Sequence, residues 1–175
     1  GCCESSAVPK PRKGFQTRGG KVDDADGLER VHTRSWQSGY RGVLPADYLD
    51  GLRWEQRLDF WGPRLANLEN HSQSVFVATT QDTVVGFSTC GPVRDEDLGA
   101  EGWWELYAIY LLETLWGTGL ASDLLSVAMR AVPQDSPGLS LRVLSENPRA
   151  RAFYERQGFV LHGAPKTEAP GGRPL

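Results

Sequence analysis

The segment from Glu105 to Ser122, Glu-Leu-Tyr-Ala-Ile-Tyr-Leu-Leu-Glu-Thr-Leu-Trp-Gly-Thr-Gly-Leu-Ala-Ser, is the part of the chain best suited to chemistry. An apolar stretch runs into a tight turn holding Gly117 and Gly119, and then directly into a helical pattern. The unpaired N–H groups of a helix's first turn, with the positive end of its dipole, make an anion site. Glycines let a phosphate approach the backbone closely. Two phosphate-binding loops are excluded: a Walker loop needs a lysine that is missing here, and a dinucleotide fingerprint needs Gly or Ala where Ser122 stands and an acidic ribose partner further on. An ordinary glycine turn would satisfy the same residues, so the loop alone names no ligand.

The elements that would position this loop follow from periodicity. Asp23 to Gly39 reads as a first helix, with Leu28, Val31, His32 and Trp36 near helical spacing. Pro45 opens a second helical segment through about Leu58, continuing to Leu68 with a break at Gly62-Pro63. Val75–Thr79 and Val84–Cys90 are strands around the polar connection Thr80-Gln81-Asp82-Thr83. Trp103–Leu112 is a strand with both faces buried, and Leu120 to about Val132 is a helix with one apolar face. Leu139–Leu144 is a further strand, Pro148–Gln157 a helix ended by Gly158, and Phe159–His162 the start of a last strand. The earliest strand, around Phe15–Arg18, is polar and glycine-rich. This order predicts an α/β fold of the α+β type: a mixed central sheet of about six to seven strands flanked by about four helices. Residues 1–14 read as a tail, 15–164 as one domain and 165–175 as coil.

Composition narrows the partners. The 175 residues carry a net charge of −3; residues 1–21 hold +4 and residues 163–175 hold +1, so the central 141 residues carry −8. An acidic body argues against nucleic acid, which needs clustered Lys and Arg, and suits a cationic or amine-bearing partner. No apolar run approaches the roughly 18 residues needed to span a bilayer, and the polar start predicts no secretory leader. Three cysteines without a disulfide pattern, Cys2, Cys3 and Cys90, predict a cytoplasmic setting. Gly1-Cys2-Cys3-Glu4-Ser5 would fit a lipidation signal if a methionine preceded it; with nothing amphipathic following, no membrane partner is expected. His32, His71 and His162 show no metal-ligand spacing, so no metal is expected.

Two motifs together resemble the GNAT superfamily of acetyl-CoA-dependent N-acetyltransferases. Trp116-Gly117-Thr118-Gly119-Leu120-Ala121 is similar to its Gln/Arg-x-x-Gly-x-Gly/Ala loop, and Asn147 to Phe159 to its Asn-x-x-Ala-x-x-Phe/Leu-Tyr-x-x-x-Gly-Phe. The resemblance covers about residues 23–162. It implies the GNAT fold, acetyl-CoA as cosubstrate, and coenzyme A pyrophosphate on the N–H groups of Gly117, Thr118, Gly119, Leu120, Ala121 and Ser122. It implies a pantetheine arm lying along Ile109, Tyr110 and Leu111, and Asn147 contacting that arm or orienting the site. Tyr154 matches the general acid that protonates the thiolate. Glu105, eleven residues before Trp116, matches the strand glutamate that serves as base in the histone-acetyltransferase branch; the alternative is a carboxylate paired with a neighbouring arginine such as Arg142. Trp116 stands where the family has Gln or Arg, no seventh strand is recognisable after His162, and a homodimer is a compatible assembly.

The expectation is therefore transfer of acetyl from acetyl-CoA to a primary amine by direct attack, a small-molecule amine being favoured. The alternatives are a protein N-terminus or lysine as acceptor, and a non-catalytic acyl-CoA sensor. Trp36, Tyr40 and Trp104 are the weaker candidates for acceptor binding, their simpler role being core or rim packing.

Overall fold

A computed structural model of the chain describes residues 12–42, 44–53, 58–68, 72–94 and 101–162. Five strands form one sheet in sequence order, β1 (Gln16–Gly19), β2 (Ser74–Thr80), β3 (Thr83–Pro92), β4 (Trp104–Leu111) and β5 (Leu139–Leu141). The first three pairings are antiparallel and β4–β5 is parallel. The helices are α1 (Ala25–Gly39), α2 (Ala46–Gly51), α3 (Leu58–Ala66), α4 (Leu120–Ala131) and α5 (Pro148–Arg156). Among the described residues no helix is long and apolar enough to cross a membrane.

The sheet alternates its side chains between two cores. On one face α1 and α3 pack Leu28, Val31, Trp61 and Leu65 against Val75, Val77, Val84 and Phe87. On the other, α4 packs Leu120 and Leu124 against Ala78, Val85 and Leu111, and Leu125 and Ala128 against Cys90 and Leu106. Each fully buried Leu contributes roughly 1.5–3 kcal/mol, so α4, with three leucines at 0% exposure, is anchored firmly. Ser88 Oγ donates to the Leu124 carbonyl at 3.0 Å, tying helix to sheet where a hydroxyl would otherwise be buried unpaired. The β2–β3 hairpin turns through Gln81 (φ 46°) and Asp82 (φ 59°). Two consecutive left-handed residues match the twist of the strands they join.

Several expectations are corrected. Among the described residues five strands form, against the six to seven expected. Among the described residues Phe159–His162 pairs with no strand, Val160 and Leu161 being 89% and 82% exposed, and β5 stops at Leu141, three residues short of the expected Leu144. The second helical segment is divided into α2 and α3, and Gly62-Pro63 does not break α3; Pro63 lies inside it. An internal proline costs about 3 kcal/mol, which the burial of Trp61 and Leu65 one turn apart offsets. The helix α1 starts at Ala25 rather than Asp23, because Val22–Asp24 form a 3-10 turn whose Asp24 carboxylate accepts from Lys21 N at 2.8 Å. The coil expected over residues 165–175, and the possible lipidation signal at Gly1 to Ser5, lie outside the described residues.

Candidate functional site

The centre of the sheet carries an irregularity that decides which backbone groups are available. Thr89 of β3 faces Ala108 and the next residue, Cys90, faces Leu106, so Tyr107 is an extra residue in β4. A bulge reverses which edge each N–H and C=O addresses. Before it, Trp104 N donates toward the β5 side, to the Gly138 carbonyl at 3.0 Å. After it, Leu112 N donates to Val85 of β3 at 3.0 Å, so by ladder alternation Ile109 and Leu111 turn their polar groups toward the β5 side. There β5 has already gone: the β4–β5 register runs only from Trp104↔Leu139 to Leu106↔Leu141. The two parallel strands part just past the bulge, leaving the Ile109 and Leu111 edge without a strand partner among the described residues.

At the far end of that edge the chain enters the glycine loop. Gly117 (φ 78°) and Gly119 (φ 88°) both sit in the left-handed region that other residues rarely adopt. As N-cap of α4, Gly119 offers no side chain, so the first-turn N–H groups have no such cap. The Trp116 indole is held on two sides. Its Nε1 donates to the Leu111 carbonyl at 3.0 Å, and the Arg149 guanidinium lies 3.5 Å from its ring centroid. Arg12 also reaches the loop: it pairs with Asp123 in the first turn of α4 (Nε to Oδ2 2.6 Å), and a Cβ on Gly119 would run into its guanidinium. Two arginines distant in sequence thus stand where the loop lacks its own basic side chain. These features fit an anionic diphosphate.

The helix α5 completes this side. Asn147 is its N-cap, Oδ1 accepting from Ala150 N at 3.0 Å, and Gln157 Nε2 donates to Ser122 Oγ at 3.2 Å, joining α5 to the first turn of α4. Tyr154 lies between Phe153 and Phe159, with ring centroids at 5.1 and 5.8 Å in edge-to-face geometry. Burial, with a smaller contribution from Tyr40, pushes its hydroxyl up to about 12. It is therefore protonated at every physiological pH, as a proton donor must be.

Glu105 is 4% exposed, and its partner is Arg94 rather than Arg142. Arg94 Nη2 donates to Oε1 at 2.7 Å, while Nε and the backbone N donate to Oε2 at 3.2 and 3.0 Å. A carboxylate offers about four lone-pair sites; donors among the described residues take three and leave one, on Oε1. The clasp holds the Arg94 guanidinium 3.9 Å from the Tyr107 ring centroid. Tyr107 in turn donates to the Pro92 carbonyl at 2.6 Å, across a Gly91 whose Cβ would collide with that hydroxyl.

On the α1/α3 face, against the bulge, lies a small open-mouthed cavity of about 20 Å³ walled by Trp61, Tyr107 and Tyr110 and by Arg64, Arg94 and Gln73. None of the weaker acceptor candidates is among its lining residues. Trp36 Nε1 donates to the Tyr110 hydroxyl at 3.0 Å, and Tyr40 packs on Trp36 at 4.7 Å. Trp104 belongs to the opposite face, against the Leu125–Ala128 cluster. Arg12, Arg64, Arg94 and Arg149 were invisible to motif reading: Arg12 meets a residue 111 positions away, and only position 149, inside the Asn147–Phe159 motif, lay near a recognised pattern. Among the described residues no group of His, Cys, Asp and Glu could hold a metal ion.

A model of the acetyltransferase (GNAT) family matches residues 30–159. The chain is 34% identical over 140 residues to the uncharacterised N-acetyltransferase YuaI of Bacillus subtilis, covering 79% of this chain and 76% of that protein. Its fold is similar to PaiA N-acetyltransferase from Thermoplasma acidophilum in complex with coenzyme A, with TM-score 0.73, 17% identity, and coverage of 86% and 92% of the two chains. It is also similar to yncA from Salmonella typhimurium with its cofactor acetyl-CoA, with TM-score 0.66, 18% identity, and coverage of 91% and 88%.

Proposed function

The chain belongs to the GNAT family of acetyltransferases, and from that premise we propose that it moves acetyl from acetyl-CoA to the primary amine of a small molecule by direct attack. When bound, acetyl-CoA supplies an activated acyl group whose carbonyl gains negative charge as an amine adds. The single observation that carries the reading is the β4 edge at Ile109 and Leu111, left without a strand partner among the described residues and running straight into the glycine loop at the start of α4. An extended arm needs such an edge, and a diphosphate needs such a helix start.

In this reading Gly117 to Ser122 hold the pyrophosphate, with Arg12 and Arg149 neutralising its charge from outside the loop. Ile109, Tyr110 and Leu111 line the arm, and the Asn147 amide, whose Oδ1 is committed to the cap, turns its Nδ2 to the same channel. The N–H groups past the bulge stabilise developing negative charge on the carbonyl oxygen. Tyr154 donates a hydrogen bond to the departing sulfur. An amine is mostly ammonium at pH 7, so a base is required; Glu105 takes that proton through water at its one remaining lone-pair site. The acceptor enters from the opposite face, through the cavity beside Tyr107 and Ala108. Residues 15–164 act as the catalytic domain, in a cytoplasmic setting.

The test is calorimetric titration of acetyl-CoA and coenzyme A, followed by thiol release across an amine panel. Binding with turnover on a small amine supports the proposal. Turnover on peptides alone moves the acceptor to a protein N-terminus or lysine, and binding without turnover on either makes the chain a sensor.

A further inference from the structure

The cavity on the α1/α3 face carries a charge that the net balance of the chain conceals. Arg64, in the last turn of α3, projects into it with its guanidinium 4.0 Å from the Phe60 ring centroid. Arg12 pairs with Asp123, Arg18 with Asp24 and Arg94 with Glu105, whereas no carboxylate among the described residues answers Arg64. The other cation of the cavity, Arg94, is matched by Glu105. Of the two tyrosines in the wall, burial pushes the Tyr107 hydroxyl up to about 12, so it is neutral at pH 7, and the Tyr110 hydroxyl accepts from Trp36 Nε1. The described wall therefore keeps one net positive charge.

That charge is not comfortably solvated. Burial, and then repulsion from Arg94, hold the Arg64 pKa below the usual guanidinium value, and Tyr107 compensates only in part. An unanswered cation in the wall of a cavity calls for an anionic, hydrogen-bond-accepting occupant.

Resting on the acetyltransferase reading above, we propose that the amine acceptor also carries a carboxylate, which Arg64 binds at the cavity mouth while the amine is presented to the bulge at Tyr107–Ala108. One net charge among the described wall residues matches one carboxylate; a phosphate, at about −1.5 to −2, would leave charge unmatched. Arg94, stacked on Tyr107 and clasped by Glu105, forms the wall between the carboxylate subsite and the reacting end. The acceptor class is then amino acids and their small homologues.

The experiment pairs amino acids with their carboxamides and with phosphorylated amines, using acetyl-CoA-dependent thiol release by wild type, Arg64→Gln and Arg64→Lys. Alongside it, the same acceptors are titrated into the protein with and without saturating coenzyme A. The acids are expected to exceed their amides in kcat/KM by about tenfold or more, as a charge-assisted hydrogen bond to a carboxylate warrants. In Arg64→Gln that ratio collapses toward one, chiefly through KM, and Arg64→Lys retains part of it. Equal rates for acid and amide, a ratio untouched by Arg64→Gln, or preference for the phosphorylated amines would each overturn the carboxylate assignment while leaving the acetyltransferase reading in place. If acetyl-CoA binds but no amine reacts, the titrations decide: acid binding that Arg64→Gln abolishes supports the subsite, and no acid binding refutes it. Absence of coenzyme A binding refutes the parent reading instead, and the titrations without coenzyme A judge Arg64 separately.

Discussion

Replacing Tyr154 by phenylalanine removes one oxygen and leaves the ring packed between Phe153 and Phe159, so the fold should hardly register the change. The catalytic loss can be bounded. With its hydroxyl pushed up to about 12, Tyr154 is a weak acid. A thiolate whose conjugate acid is near that of a free thiol, about 8.5, lies roughly 3.5 pH units below it, so complete proton transfer is uphill by about 5 kcal/mol. Tyr154 therefore acts mainly by donating a hydrogen bond to the developing thiolate. A hydrogen bond to a charged group is worth about 1.5–3 kcal/mol, which places the loss in kcat at about 10- to 150-fold rather than the 10⁴-fold that full general acid catalysis can reach. Steady-state thiol release between pH 6 and 10 would show a lowered plateau in Tyr154→Phe and no alkaline decline due to this residue in either form. Coenzyme A affinity by calorimetry should stay within about threefold. Loss of affinity in proportion to kcat, or a kcat within twofold of wild type, would refute the role.

Four further outcomes are expected. Trp116→Leu loses the Nε1 bond to Leu111 and the Arg149 stack, about 1–2 kcal/mol together; acetyl-CoA Kd should rise about 5- to 30-fold, and an unchanged Kd would separate Trp116 from the loop's function. Glu105→Gln should lower kcat by about 100-fold or more, whereas a rise in acceptor KM alone would reduce Glu105 to holding Arg94 in place. Asn147→Ala forfeits an N-cap bond worth about 1 kcal/mol, a fall of about 3 °C in Tm for a domain of this size, and a melting point within 1 °C would show the cap to be idle. Burial alone would raise the Asp24 pKa, but the Arg18 fork, with Lys21, outweighs it and holds the folded value below the ordinary carboxylate range; that stability is present above about pH 4 and is lost as pH falls through the lowered value, so Tm measured from pH 6 to 2.5 should fall less steeply in Asp24→Asn.

What could be read along the chain was whatever depends on neighbours in sequence. The helix α4 and the loop before it were legible because Leu120, Leu124 and Ala128 keep helical spacing and because Gly117 and Gly119 mark a turn. The β2–β3 hairpin was legible for the same reason. The bulge at Tyr107 was not, since an extra residue in a strand shows only when the partner strand is alongside. The end of β5 at Leu141 was equally hidden: Leu139–Leu144 alternates well enough to predict a longer strand, but alternation does not say where two parallel strands part. The continuous α3 was misread because proline is a local rule, while the burial of Trp61 and Leu65 that overrides it is a tertiary fact.

The charge reading shows the same division at the level of function. Summed along the chain, the central body is acidic, and that sum favoured a cationic partner. Yet electrostatic screening confines an exposed charge to about 8–10 Å, so a bound molecule feels the few groups that wall its cavity, not the total. Folding sets Glu105 against Arg94 and leaves Arg64 without a carboxylate among the described residues, so the wall is locally positive inside a negative molecule. The two signs serve different ranges. The acidic surface can draw an ammonium group toward the protein, and the cavity can then sort among amines by what else they carry. An acceptor with both an ammonium and a carboxylate satisfies both fields, whereas a purely cationic polyamine would satisfy the surface and be repelled at Arg64.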